Sequence, residues 1–224
     1  MSNKNAIIEG IAAPLPIANL DTDQIMPKQF LRGIDKAGLD RGLLYDLRFD
    51  PQGKPRADFV LNRPEYANTS ILLGGPNFGC GSSREHAVWG LRQFGIRAVI
   101  APSFGEIFYS NAMNNGLMLV MLPGPGVQKL MDEAACSGGP PHVRVDVENL
   151  IVTTRTVSAR FTLSERHRSM LLHGLDMLGA SLRYKQEIKD FAVRWHGKHP
   201  WLKDIASVAR SRLDGAQERT PGNA

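Results

Sequence analysis

From about residue 70 onward, apolar positions alternate between short continuous runs and runs spaced three or four apart. Ser70-Ile71-Leu72-Leu73 is a short apolar run stopped by Gly74-Gly75-Pro76, the pattern of a buried strand ending in a turn. From Ser83 to about Phe94, Ala87, Leu91 and Phe94 recur at helical spacing, and Gly95 is a natural C-terminal stop. Arg97 to Ala101 predicts the next strand. Phe104 to Asn115 predicts a second helix with Ile107, Phe108, Asn111 and Ala112 on one face and Gly116 as its cap. Leu117 to Leu122 is a third strand, and Val127 to about Cys136 a third helix. Strands and helices alternating through short connections imply a parallel sheet with right-handed crossovers.

The pattern changes after that. His142–Val147 and Leu150–Thr154 flank Glu148-Asn149, which predicts an antiparallel hairpin; Ser158–Leu163 offers another strand, and helices follow from Ser164. At the start, Ile7 to Ile17 reads as extended. Leu20 to Asn62 is rich in Asp, Gly and Pro with isolated apolar residues, and a long irregular stretch in a compact domain is functional or mobile. The fold class is α/β, a parallel sheet core with an antiparallel β addition and C-terminal helices. Residues 1–205 are read as one domain and residues 206–224 as a flexible tail.

Composition narrows the class. At 224 residues the chain can bury a proper core. No run of roughly 18 apolar residues is present, so no membrane span is expected. Met1-Ser2-Asn3-Lys4-Asn5 lacks a signal-peptide pattern, and a cytoplasmic protein is expected. The net charge of +5 comes from 27 basic and 22 acidic residues. Much of the excess, at Arg183, Lys185, Lys189, Arg194, Lys198 and Lys203, interleaves with acidic and apolar residues at helical spacing. A solvated helix face is favoured there over nucleic-acid binding. Two cysteines, Cys80 and Cys136, are too few for a disulfide framework or for a cubane iron–sulfur cluster, which uses about three or four thiolates.

Candidate chemistry concentrates between the first strand and first helix of the middle segment. In Gly74-Gly75-Pro76-Asn77-Phe78-Gly79-Cys80-Gly81-Ser82-Ser83-Arg84-Glu85, glycines let backbone approach a ligand, and Arg84 carries a planar fork suited to a carboxylate. Three readings fit this loop. One is a capping box with Ser82 as N-cap and Glu85 reaching back. Another is a phosphate loop, though without the Gly-Lys-Ser/Thr ending of a Walker motif. The third is a site for a carboxylate-bearing substrate with a serine as base. The first and third are compatible, because helix-start amides facing a serine oxygen would stabilise its alkoxide. His86 is read as structural, and His142, His167, His173, His196 and His199 show no metal-ligand spacing. Phe104, Phe108 and Tyr109 are read as core, and Trp195 and Trp201 as packing residues near the C-terminus.

Asn77-Phe78-Gly79-Cys80-Gly81-Ser82-Ser83-Arg84-Glu85-His86-Ala87 resembles the signature of the aconitase superfamily's mobile domain, in particular the separate small subunits of the 3-isopropylmalate dehydratases. Asn19 to Leu31, with its Asp21-Thr22-Asp23 core, is similar to the N-terminal motif of the same subunits. So are Asp58–Asn62 and Ala101–Phe108. The resemblance runs from roughly residue 5 to residue 195. It implies a swivelling β/β/α domain that closes over a large subunit carrying a [4Fe–4S] cluster, with no cluster on this chain. It further implies isomerisation of 2-isopropylmalate to 3-isopropylmalate by dehydration and rehydration, in leucine biosynthesis.

On the same resemblance, Ser82 is the base that takes a carbon-bound proton, Arg84 a catalytic carboxylate anchor, and Asp23 an active-site aspartate. Ser83, Arg48, Thr22 and Lys28 are expected to bind substrate, with Arg48 the weaker match because Leu47 stands where an aromatic residue is more usual. The region Met26 to Arg32 is expected to form the loop that senses the isopropyl group. A related hydro-lyase for methylmalate or another 2-substituted malate shares these motifs. A non-catalytic anion-binding module is the reading from a different class.

Overall fold

The computed structural model describes residues 6–31, 37–136 and 139–217. The chain divides into two compact units, one ending at Met177 and one beginning at Leu178. The first unit is built on one seven-stranded sheet in the order β4-β3-β2-β1-β5-β6-β7.

Strand β1 (Ile7–Leu15) runs parallel to β2 (Thr69–Gly74), which is parallel to β3 (Ala98–Ala101), itself parallel to β4 (Met118–Met121). On its other side β1 meets β5 (His142–Asp146) antiparallel, and β6 (Ile151–Thr153) and β7 (Ser158–Arg160) extend the sheet the same way. Side-chain patterning explains the two halves. The run Ile71-Leu72-Leu73 and the whole of β3 are buried, as parallel strands covered on both faces must be, whereas β5 alternates exposed and buried along His142-Val143-Arg144-Val145.

Two very short helices, α1 (Thr22–Ile25) and α2 (Tyr45–Arg48), lie with several 3₁₀ turns in the segment between β1 and β2. The crossover helices are α3 (His86–Phe94) after β2 and α4 (Glu106–Asn114) after β3; α5 (Gly124–Cys136) follows β4 and packs across β1, β2 and β3. Successive right-handed crossovers in one direction bring α3 and α4 together, and the two helices touch. Gly95 ends α3 in the left-handed region, at φ 106, as its position predicts. The apolar face of α4 differs from expectation. It buries Phe108, Ala112 and Met113, while Ile107 is 50% exposed. The helix is rotated so that the i, i+4, i+5 row meets the core rather than the i, i+1 pair.

Helix α6 (Glu165–His173) starts at Ser164, whose hydroxyl accepts from the His167 amide at 3.2 Å. The short helix α7 (Met177–Leu182) straddles the division between the units. The second unit contains α8 (Lys185–Lys198) and α9 (Ile205–Gln217), with the Phe191 and Trp195 rings stacked at 5.7 Å on α8. A helix over 205–217 stands where the sequence suggests the start of a flexible tail. Its Ala, Arg, Leu and Gln residues favour helix even though its composition is polar. Residues 218–224 of that expected tail lie outside the described residues. No helix among the described residues is long and apolar enough to cross a membrane.

One polar contact ties α5 to the antiparallel edge. Glu133, only 8% exposed, accepts from Thr154 Oγ1 at 2.6 Å and Thr156 Oγ1 at 2.5 Å. These two hydroxyls, Thr154 first, hold the Glu133 carboxyl below its ordinary range against the opposing effect of burial. A carboxyl with a depressed folded-state pKa contributes stability that is complete above the unfolded value of about 4.3. That contribution disappears as pH falls through the lower, folded value. Thermal melts between about pH 6 and 3 should therefore show a steeper acid-side loss for the native chain than for Glu133→Gln. At neutral pH the variant should be less stable by about 1–2 kcal/mol.

Candidate active site

The register of the sheet positions the site. Leu15 pairs with Gly74 at the carboxyl ends of β1 and β2, so the segments leaving both strands emerge side by side at one edge. They continue as a ribbon after the strands stop. Asn19 N–H donates to Pro76 O at 2.9 Å, Gly79 N–H to Leu20 O at 2.7 Å, and Thr22 N–H to Cys80 O at 2.9 Å. On the opposite flank Phe78 N–H donates to Ser103 O at 3.0 Å and Gly105 N–H to Phe78 O at 2.9 Å, because β3 ends one strand over. Three separate sequence motifs thus meet where ligand sites of open α/β sheets are found.

The loop is shaped by three residues in the left-handed region, Asn77 at φ 58 and two glycines. Gly79 has φ 74 and lies against the Phe108 ring, so any side chain there would run into that ring. Gly81, at φ 93, turns the chain toward Ser82 and packs against Asp21 and Thr22. Phe78 is fully buried beneath the loop, with the Phe104 ring at 6.2 Å and the Phe108 ring at 5.6 Å. An aromatic floor supports a polar rim.

Ser82, Ser83, Arg84, Asp23, Thr22 and Lys28 come together. Ser82 is exposed, and its hydroxyl lies 2.9 Å from Thr22 Oγ1. Arg84 forms an ion pair with Asp23, and Lys28 Nζ stands 3.8 Å from the other carboxylate oxygen of Asp23. Asn111 Nδ2 donates to Ser83 O at 3.3 Å, tying the serine loop to α4. Arg84 and Lys28 put two cations around the single Asp23 carboxylate, a net positive cluster suited to an anionic ligand.

The capping box expected at Ser82 and Glu85 does not form. Helix α3 begins at His86, Glu85 is its N-cap residue, and no side chain caps it. Glu85 turns instead to Asn115, whose Nδ2 donates to it at 2.5 Å while Trp89 Nε1 donates to Asn115 Oδ1 at 2.9 Å. A carboxylate with a side-chain amide donor in reach gains a bond that does not compete with a glycine-rich turn. The capping box stands elsewhere, at Asp21 and Gln24 of α1, where the Gln24 amide donates to Asp21 Oδ1 at 2.7 Å and the Asp21 amide to Gln24 Oε1 at 3.0 Å. Ser82 therefore lies before the helix, and the α3 amides do not surround its oxygen.

Arg48 does not join the cluster. Its guanidinium donates to Asn62 Oδ1 and Leu43 O, both at 3.2 Å, and sits over the Phe49 ring at 5.1 Å and the Phe94 ring at 4.9 Å. Burial pulls its pKa down, with Asp40 opposing. The flat cation packs against two aromatic rings in this chain. Cys80 is half-buried and its thiol donates to Asn19 O at 3.3 Å. The His86 ring lies 4.7 Å from that of Trp89. In the Met26–Arg32 loop, Met26 is fully buried, Lys28 and Gln29 belong to a 3₁₀ turn, and Arg32 lies outside the described residues.

Asn115 and Asn19 are the participants that sequence reasoning missed. Asn115 reads as part of a helix stop, yet it organises Glu85 from 30 residues away. Asn19 accepts from Asn77 Nδ2 at 2.8 Å across the ribbon. No local periodicity marks either residue.

Among the described residues no group of three or more His, Cys, Asp or Glu side chains converges as a metal site would. Comparison with known proteins gives the context. The aconitase C-terminal domain family matches residues 3–125. The 3-isopropylmalate dehydratase small subunit 1 of Chromobacterium violaceum is 63% identical over 92% of this chain and 97% of its own length. The 3-isopropylmalate dehydratase small subunit 2 of Salmonella typhimurium is 46% identical over 89% of this chain and 96% of its own. Among solved structures, the 3-isopropylmalate dehydratase of Methanocaldococcus jannaschii superposes with a TM-score of 0.59 at 26% identity, over 83% of this chain and 99% of that one.

Proposed function

The chain belongs to the aconitase-type family of 3-isopropylmalate dehydratase small subunits, and from that premise we propose that it supplies the base and the carboxylate anchor of a two-subunit hydro-lyase. The reaction is the isomerisation of 2-isopropylmalate to 3-isopropylmalate in leucine biosynthesis, in the cytoplasm. The names of the relatives favour this substrate over methylmalate and favour an enzyme over a bare anion-binding module. The observation that carries the reading is the exposed Ser82 hydroxyl beside the Arg84–Asp23 pair, held by two loops that the parallel register of β1 and β2 brings together.

Each residue has a distinct task. Ser82, as alkoxide, accepts the proton from the substrate carbon; the C–H pair becomes the carbon–carbon π bond as the hydroxyl leaves from the neighbouring carbon. Arg84 holds one substrate carboxylate through its planar fork, Asp23 fixes the orientation of that fork, and Lys28 adds positive charge beside them. Ser83 completes the carboxylate contacts. In the second half-reaction water returns at the other carbon, and Ser82 gives its proton back, so the chain ends as it began.

This chain's residues do not make a cluster site, since its two cysteines fall short of the thiolates such a cluster requires. The [4Fe–4S] cluster that the family implies belongs on the large subunit, and it supplies Lewis acidity toward the leaving hydroxyl. The test is anaerobic mixing with the large subunit that serves the Chromobacterium relative, following the unsaturated intermediate by ultraviolet absorbance. Turnover of 2-isopropylmalate should require both chains. Turnover by this chain alone, or none with any large subunit of the family, would overturn the reading.

A further inference from the structure

A serine hydroxyl is too weak an acid to serve as a base unless something stabilises its anion. The helix start that could have done so lies four residues on, at His86. What stands next to Ser82 instead is Thr22, 1% exposed and fixed at both backbone ends. Its N–H bonds Cys80 O at 2.9 Å, and its C=O accepts from Met26 N–H at 3.0 Å.

Thr22 Oγ1 makes two contacts with the same residue: Ser82 O at 3.2 Å and Ser82 Oγ at 2.9 Å. A carbonyl can only accept, so the first contact uses the single Thr22 proton. In the second, Thr22 Oγ1 must then accept, and Ser82 Oγ donates. The neutral pair therefore closes a small ring, Ser82 O–H to Thr22 Oγ1 and Thr22 O–H to Ser82 O. If the Ser82 proton is lost, the ring can reverse without moving a heavy atom. Rotation about the Thr22 C–O bond swings its proton from the carbonyl to the alkoxide, making a charge-assisted bond from a buried donor.

Resting on the assignment of Ser82 as base, we propose that Thr22 is its positioning residue, a switchable donor that stabilises the Ser82 alkoxide rather than a direct substrate ligand. The Ser82 proton passes to solvent, to which Ser82 is open, and Thr22 O–H turns onto the oxyanion. The alkoxide then takes the carbon-bound proton, re-forming Ser82 O–H while the C–H electron pair enters the double bond. Thr22 O–H swings back to Ser82 O, and rehydration runs the same sequence in reverse.

The experiment is a kcat–pH profile of the enzyme reconstituted with its large subunit, for Thr22→Val, Thr22→Cys, Thr22→Ser and Ser82→Ala. Removing the donor raises the Ser82 pKa, so Thr22→Val should lose roughly 10²-fold at neutral pH and recover toward high pH. Its profile should be displaced upward by about a unit or more. Thr22→Ser should keep the native profile within about threefold. Thr22→Cys keeps a γ-position donor, though a weaker one, and should shift the profile the same way, which keeps the test open if valine is not tolerated. A native profile in Thr22→Val or Thr22→Cys beside an inactive Ser82→Ala would overturn the role of Thr22 alone. Turnover by Ser82→Ala would overturn the base assignment, and the Thr22 proposal with it.

Discussion

Ser82→Ala should lower kcat of the reconstituted enzyme by at least about 10³-fold while leaving the chain folded and able to assemble. A positioned general base contributes roughly 10²–10⁴-fold, and here no neighbouring group on this chain replaces it. Asp23 is held by Arg84, and Glu85 is turned away to Asn115. Ser82 itself is exposed, so losing its hydroxyl opens no cavity in the core. The measurement is steady-state turnover of 2-isopropylmalate together with loss of exchange of the carbon-bound proton with solvent. Melting temperature and assembly serve as controls. Near-native turnover in that variant would rule Ser82 out as the base.

Arg84→Lys should cost about 10²-fold in kcat/KM, expressed mainly as a higher KM. The guanidinium offers a rigid fork that can face a substrate carboxylate while another of its donors stays on Asp23. An ammonium keeps the charge but is a point donor on a flexible stem, so it cannot hold both partners in fixed directions. A loss of that size corresponds to about 2.8 kcal/mol at the usual conversion of about 1.4 kcal/mol per factor of ten. Asp23→Asn is the companion test: it leaves Arg84 in place but removes its counter-charge, and should weaken binding less than Arg84→Lys does. Equal KM values for Arg84→Lys and the native chain would show that Arg84 anchors no carboxylate.

The alternation of buried strands and helices from Ser70 to Cys136, and the hairpin after it, were legible because each rests on a short window. An apolar run, a helical spacing and a glycine stop are read within about ten residues. The loop chemistry was partly legible for the same reason: the glycines at 79 and 81 and the polar residues 82 to 84 are contiguous. The helix start was misplaced because Ser82-x-x-Glu85 satisfies the capping pattern by spacing, while the partner that draws Glu85 away is Asn115. A local rule cannot see a competitor that only the crossover from β2 to β3 and α4 brings into range.

By itself the sequence determined the order of strands and helices from Ser70 onward, the serine loop and its glycines, the N-terminal Thr-Asp element, and the shortage of cluster ligands. The tertiary structure decided which of those residues meet. Thr22 and Ser82 are 60 residues apart in sequence, and they touch because Leu15 is in register with Gly74, so two loops leave one sheet edge together. The same packing set the Arg48 guanidinium against the Phe49 and Phe94 rings. Hydrogen-bond partners across such distances are set by strand register and helix crossing, and those depend on the whole core being buried at once rather than on any local run of residues.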